Sequence, residues 1–143
     1  NAFKSRDNFI ENPVFKDDYN PKNLEKIIFK DYSMYVTPRY LYHYAQHDYE
    51  ATSINLVKTL TKNSSVFVDI GAHYGYYCLV AHAVNNKIKI VAFEPIPENV
   101  TILGKNLAFN KINNCKIHVI AASNEKVVRK FNLINDKGQI FTL

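Results

Sequence analysis

Apolar positions along the chain change their period twice. Residues 1 to 24 are polar, with scattered aromatics and the prolines Pro13 and Pro21, and read as an arm. Lys26–Phe29 and Met34–Val36 are short and rich in β-formers, and Asp31-Tyr-Ser33 between them can turn, which predicts a small hairpin. Thr37-Pro38 then has the form of a helix cap followed by a first helical residue. Residues 39 to 47 are dense in tyrosine. A helix is predicted near residues 51 to 62, where Ile54, Val57 and Leu60 share one face.

From residue 66 the pattern becomes that of stacked βαβ units. Val66–Ile70 is a short apolar run, which predicts a parallel strand buried on both faces. A turn follows over Gly71 to Gly75, then an apolar helix over Tyr76 to Val84. Lys87–Phe93 is a second strand ending at Glu94. Pro95 and Pro97 break the chain and start a helix that reaches about Asn110, with Val100, Ile102, Leu103 and Leu107 inward. Lys116–Ile120 is a third strand, and Val127–Leu133 and Gly138–Leu143 are further short strands. Strand, helix, strand, helix, strand is the order of an α/β fold with a right-handed parallel sheet.

The first strand-to-helix turn carries the chemistry. The chain has 4 glycines, and Gly71 and Gly75 both fall there. Glycine is needed where backbone bends sharply or approaches a ligand closely. Asp69, at the strand end, can reach a ligand's ammonium group. Glu94 ends the second strand, where a carboxylate can accept from both hydroxyls of a ribose. Either feature alone is no more than a turn or a solvated strand end; together on one βαβ unit they favour a nucleoside. A dinucleotide loop reads Gly-x-Gly-x-x-Gly, with its middle glycine close to a pyrophosphate. Here that position is His73, and Asp69 adds negative charge. The pattern therefore suits a ligand with an ammonium group and no phosphate, as in S-adenosylmethionine, and disfavours a nicotinamide dehydrogenase.

Charge and composition exclude little. The 143 residues carry 18 Lys and Arg against 13 Asp and Glu, a net charge of +5. The lysines are scattered, which fits a solvated basic surface better than a nucleic-acid patch. No run of about 18 apolar residues is present, so no membrane-spanning helix is expected. The start, Asn-Ala-Phe-Lys, lacks both Met and an apolar leader, so no signal peptide is expected and a processed or excised piece is suggested; the expected location is cytoplasmic. Two cysteines, Cys78 and Cys115, are too few for a disulfide framework and fit a reducing compartment. Asn63-Ser-Ser65 and Asn99-Val-Thr101 match the glycosylation pattern by chance on that reading.

Two segments carry a family resemblance. Phe67-Val-Asp-Ile-Gly-Ala-His-Tyr-Gly-Tyr-Tyr77 resembles the first motif of FkbM-type methyltransferases, Val-Asp-x-Gly-Ala-Asn-x-Gly-Tyr-Tyr. Val91-Ala-Phe-Glu-Pro-Ile-Pro-Glu-Asn99 resembles the second, a Phe-Glu-Pro-x-Pro segment before a helix. Leu107-Ala-Phe-Asn110, Ile120-Ala-Ala-Ser123 and Asp48-Tyr-Glu50 resemble further family positions. The resemblance covers about Lys30 to Phe131.

It implies a Rossmann-like methyltransferase core over residues 63 to 143, with residues 1 to 62 forming an N-terminal arm and cap packed on it. It further implies that Asp69, Gly71, His73 and Gly75 line the methionine part of S-adenosylmethionine, with Ala72 and Tyr74 also in the cofactor-binding turn. Glu94 would hold the ribose, Pro95 and Ile96 would lie beside the adenine, and Ala122 and Ser123 would close that side. Tyr49, Glu50 and Tyr76 are site-lining candidates. The family's usual chemistry is O-methylation, often of sugars in glycans or natural products, so the implied acceptor is a sugar, a glycan or another hydroxylated small molecule.

Two departures stand out: His73 replaces the motif's Asn, and the family's Lys-x-Asp-x-Glu-Gly segment after a fourth strand is absent. The sheet is therefore expected to be incomplete on its C-terminal side, with an edge needing missing chain or a partner, and no catalytic residue is carried over. The alternatives in play are a non-catalytic remnant or interaction module and a nucleic-acid-binding or nucleic-acid-modifying protein. Tyrosines 32, 35, 40, 42, 44 and 49 could stack bases or sugars, but packing of the cap accounts for most of them. His43 and His47 share a helix face, yet no Glu completes a His-Glu-x-x-His motif, and no metal is expected. His82, His118 and Cys115 read as structural.

Overall fold

A computed structural model describes residues 23–46, 49–125, 132–134 and 140–142. The chain divides into two compact units, one of residues 15–122 and one of residues 1–14 with 123–143. In the second unit the described strands β6 (Asn132–Ile134) and β7 (Ile140–Thr142) pair antiparallel. The remainder of the expected strands over 127–133 and 138–143 lies outside the described residues.

The larger unit opens with the predicted hairpin, β1 (Glu25–Ile28) against β2 (Ser33–Val36), antiparallel with Ile27 opposite Met34. Met34 and Val36 are fully buried. Helix α1 (Pro38–Ala45) starts with proline at its first turn, where the missing N–H costs nothing. Thr37 occupies the cap position but makes no capping bond; its hydroxyl instead meets Tyr74 Oη at 3.2 Å. Helix α2 (Ala51–Thr61) half-buries Ile54 and Val57, as their spacing predicts. Leu60 is a correction: it is 60 % exposed, and Thr61 is the buried residue of that turn. A stripe two residues wide is enough to seat α2, and Leu60 falls on its outer margin.

The sheet runs β3 (Val66–Ile70), β4 (Lys89–Phe93) and β5 (Cys115–His118), all parallel, with Val68 opposite Val91 and Val91 opposite Lys116. Side chains alternate across the sheet, so Phe67 and Asp69 turn inward while Val66, Val68 and Ile70 turn outward. The outward set is about half to two-thirds exposed, which corrects the expectation of a strand buried on both faces. Strand β5 stops at His118, two residues before the expected end, and Val119 and Ile120 are exposed.

Helix α3 (Tyr76–Val84) is apolar around most of its surface, and Cys78, Leu79, Val80 and Ala81 are buried. Helix α4 (Pro97–Phe109) buries Ile102, Leu103 and Leu107, whereas Val100 is only half-buried. Two asparagines on its inward face tie it to the hairpin. Asn106 is fully buried; its Oδ1 accepts from Tyr35 N at 2.6 Å, and its Nδ2 donates to the carbonyls of Tyr35 (3.0 Å) and Tyr74 (2.8 Å). One turn on, Asn110 accepts from Ser33 N at 3.0 Å and donates to Ser33 O at 2.7 Å. Each side-chain amide thus stands in for a missing strand neighbour of β2.

Candidate functional site

The turn after β3 holds three residues in the left-handed region: Gly71 (φ 81°), His73 (φ 50°) and Gly75 (φ 87°). This path folds the turn back over the end of β4. Gly71 N and Ala72 N both donate to Phe93 O, at 2.8 and 3.0 Å. His73 N donates to Glu94 Oε2 at 2.8 Å. Gly75 N closes on Ala72 O at 2.7 Å, and Gly75 O then accepts from Leu79 N to start α3. The two glycines differ in surroundings. Open space lies where a Cβ on Gly71 would point, whereas one on Gly75 would run into Leu103 Cδ1.

Glu94 is 4 % exposed, and its carboxylate is at the centre of this arrangement. Besides His73, it accepts at Oε1 from Ile96 N (3.0 Å) and from Asn99 Nδ2 (3.1 Å). A carboxylate offers about four lone-pair sites, so these donors leave room at Oε2 for one more. Asn99 is itself buried; its Nδ2 is the atom that meets Glu94, and its Oδ1 has no hydrogen-bond partner among the described residues. An orphaned buried acceptor is costly in a folded chain and marks a place where a donor is missing.

Asp69 sits at the end of β3, 8 % exposed, and accepts from Cys78 Sγ at 3.2 Å. Burial raises its pKa, the Cys78 contact opposes the rise, and the charge of Glu94 adds to it. The Cys78 thiol is also pushed up, first by its contact with Cys115 and then by burial. Two carboxylates therefore stand at the carboxyl ends of adjacent strands, and their mutual repulsion favours a cation between them.

His73 turns its ring away from Glu94 and under α1. The ring stacks on Tyr74 at 3.9 Å and meets the edge of Tyr40 at 4.7 Å, and its Nδ1 lies 2.9 Å from Tyr44 Oη. Burial first, and the positive charge of Arg39 second, lower its pKa to about 4. Burial holds the Tyr44 phenol well above its usual range, so a protonated phenol meets a neutral imidazole at this contact. Tyr74 is fully buried and its phenol is raised to about 12, mainly by burial.

The other sequence candidates fall in different places. Ala72 is buried in the turn, and Pro95 and Ile96 are half-buried at the start of α4. Tyr76 is buried in an aromatic cluster with Phe29, Tyr32, Tyr44 and Tyr49. Tyr77 instead donates to Glu50 Oε2, beside the left-handed Glu50 that caps α2. Ala122 is exposed at the end of the larger unit, and the exposed Ser123 belongs to the smaller one. His47 and Asp48 lie outside the described residues. Among the described residues, no cluster of His, Cys, Asp and Glu suits a metal ion, and no helix is long and apolar enough to cross a membrane.

No sequence motif gives Asn99, Asn106 or Arg39 a place at the site. Asn99, Asn106 and Asn110 sit seven and four residues apart, the spacing of one helix face. Polar residues on a stripe that also carries Leu103 and Leu107 were the signal available for them.

Comparison with known proteins gives no match to a family model and none to a curated protein. Solved structures do match. The Pyrococcus horikoshii TYW2 protein, in complex with MeSAdo, superposes with a TM-score of 0.55 at 16 % identity, over 69 % of this chain and 36 % of that one. A Pyrococcus abyssi tRNA methyltransferase in complex with S-adenosyl-L-homocysteine gives 0.49 at 14 % identity, over 76 % and 26 %. The first likeness shows the fold alone, a Rossmann-like α/β core with a parallel sheet, and the second is too weak to add to it. The chain spans about a third of the length of the TYW2 protein.

Proposed function

We propose that the turn from Asp69 to Gly75, with Glu94, binds S-adenosylmethionine, and that the protein is a methyltransferase. The carrying observation is how the turn uses its amides. The N–H groups of Gly71, Ala72, His73 and Gly75 are all bonded within the protein. A dinucleotide or nucleoside phosphate needs such amides free, pointing at its oxyanions. Here they are spent, and the rim carries the carboxylates of Asp69 and Glu94. That pairing suits a cationic nucleoside.

The roles follow from position. Asp69 takes the ligand's ammonium, and its burial strengthens that pairing because little water competes. Glu94 uses its remaining acceptor site for a ribose hydroxyl, while the backbone bonds it already makes fix its rotamer. Asn99 Oδ1 is the neighbouring acceptor open to a ligand donor. Pro95 and Ile96 offer apolar contact for adenine. For Ala122 and Ser123 the support is the resemblance alone. When bound, S-adenosylmethionine supplies an electrophilic methyl carbon on sulfur; the protein's contribution is proximity and orientation toward the acceptor.

The FkbM-type resemblance of Phe67–Tyr77 and Val91–Asn99 points to a hydroxyl acceptor, in a sugar or another hydroxylated small molecule. The test is transfer of labelled methyl from S-adenosylmethionine to panels of glycans, hydroxylated metabolites and RNA. Labelled glycan or metabolite, lost in Asp69→Asn, supports the reading. Label on RNA alone overturns the acceptor class. A folded chain that binds NAD but not S-adenosylhomocysteine overturns the cofactor.

A further inference from the structure

Arg39 stands in the first turn of α1, next to the proline that starts the helix. Its Nη1 is buried with no hydrogen-bond partner among the described residues. A guanidinium cannot shed its charge, so a buried orphan donor on it is costly and calls for an anion. The group lies over the Tyr40 ring, 5.5 Å from guanidinium carbon to centroid. Tyr40 in turn packs edge-on against His73 at 4.7 Å and Tyr74 at 5.4 Å. Arg39 is thus seated on the aromatic layer that carries the ligand turn.

The charges around His73 are ordered. Its backbone faces Glu94, and its ring faces α1, where Arg39 stands. Arg39 keeps the imidazole neutral by repulsion, second to burial. The only full positive charge that these contacts bring to the turn is therefore the guanidinium. The acidic groups Asp69 and Glu94 end the strands, while the basic group enters from the helix. A zwitterion, with its ammonium and carboxylate on one carbon, matches that polarity.

We propose that Arg39 is the carboxylate-binding residue of this site and reads the amino-acid head of the bound nucleoside. The proposal rests on the cofactor reading above and deepens it. Arg39 forms a charge-assisted, forked pair with the carboxylate, and the Tyr40 face keeps the fork flat. Asp69 holds the ammonium of the same head.

Two ligands separate the contributions. S-adenosylhomocysteine carries the amino-acid head, whereas 5′-methylthioadenosine keeps the nucleoside and the thioether without it. Calorimetric titration of the wild-type chain, Arg39→Gln and Arg39→Lys with both ligands is the experiment. Arg39→Gln is expected to weaken S-adenosylhomocysteine roughly tenfold or more and to leave 5′-methylthioadenosine within about twofold, with Arg39→Lys between. Unliganded Arg39→Gln is expected to melt at the wild-type temperature or above, since an orphan donor has gone. Equal losses for both ligands, loss for neither, or a lower unliganded melting temperature would overturn the proposal and make Arg39 structural. A wild-type chain that binds the two ligands equally well would overturn it too, while leaving the nucleoside reading intact. A wild-type chain that binds neither removes both readings.

Discussion

The backbone N–H of His73 donates to Glu94 Oε2 at 2.8 Å, so the residue at the end of β4 fastens the turn at the end of β3. Glu94 also holds Ile96 N and Asn99 Nδ2. Glu94→Ala would leave these donors without an acceptor, at about 1–3 kcal/mol for each buried group. A loss of roughly 3 kcal/mol in unfolding free energy is expected, read as a lower urea midpoint, together with loss of S-adenosylhomocysteine binding. Glu94→Gln keeps one carbonyl oxygen and should fall between. If Glu94→Ala unfolds at the wild-type midpoint, the carboxylate does not organise the turn.

Gly71 and Gly75 share a left-handed backbone but not a cost of substitution. Gly71→Ala meets only backbone strain, on the order of 1 kcal/mol. Gly75→Ala adds a collision with Leu103 at the start of α3, and such overpacking adds roughly 1–3 kcal/mol. Thermal unfolding of the two variants should show Gly75→Ala clearly the weaker. The reverse order would contradict the packing of α3 on α4.

The neutral state of His73 makes stability fall in acid. Its pKa is about 4 in the folded chain, against an ordinary value of 6.5. Between those values the unfolded chain binds the extra proton, so the contribution is complete above pH 6.5 and is lost as pH falls toward 4. The full span corresponds to roughly 3 kcal/mol. His73→Asn should fold, since asparagine tolerates a left-handed backbone, and should flatten this limb. Urea midpoints at pH 7 and pH 4.5 for both proteins measure it; the same slope in both would exclude His73 as the source.

Asp69 trades stability for binding. Burial and the nearby Glu94 both disfavour its charge. Asp69→Asn keeps the shape and an acceptor for Cys78, and relieves that cost. The unliganded variant should be as stable as wild type or up to about 1 kcal/mol more so. Its affinity for S-adenosylhomocysteine should fall more than roughly tenfold. A variant that is destabilised yet binds normally would assign Asp69 to the fold rather than to the ligand.

Much of this arrangement was legible in the residues. Val66–Ile70 and the run to Phe93 read as strands because β-branched apolar residues end at Asp69-Ile-Gly71 and Glu94-Pro95, where the backbone must change. The positive φ of Gly71 and Gly75 follows from the same turn. Other features depend on what packs where. Leu60 has helical spacing but falls beyond the width of the contact that seats α2. The outward side of β3, Val66, Val68 and Ile70, is wholly apolar while the inward side carries Asp69, so composition could not tell the covered face from the exposed one. Val119 and Ile120 are strong β-formers that nonetheless lie past the end of β5. Asn99 and Asn106 are polar residues in the core, and Arg39 Nη1 is a buried donor with no hydrogen-bond partner among the described residues. Their roles arise from hydrogen bonding across elements distant in sequence, which no local pattern carries.

Calorimetric titration of the folded chain with S-adenosylhomocysteine tests most directly whether this turn receives S-adenosylmethionine. Saturable one-site binding is expected, weakened more than roughly tenfold by Asp69→Asn without unfolding of the chain. A chain shown to be folded that gives no binding heat and no rise in melting temperature with saturating ligand would contradict it.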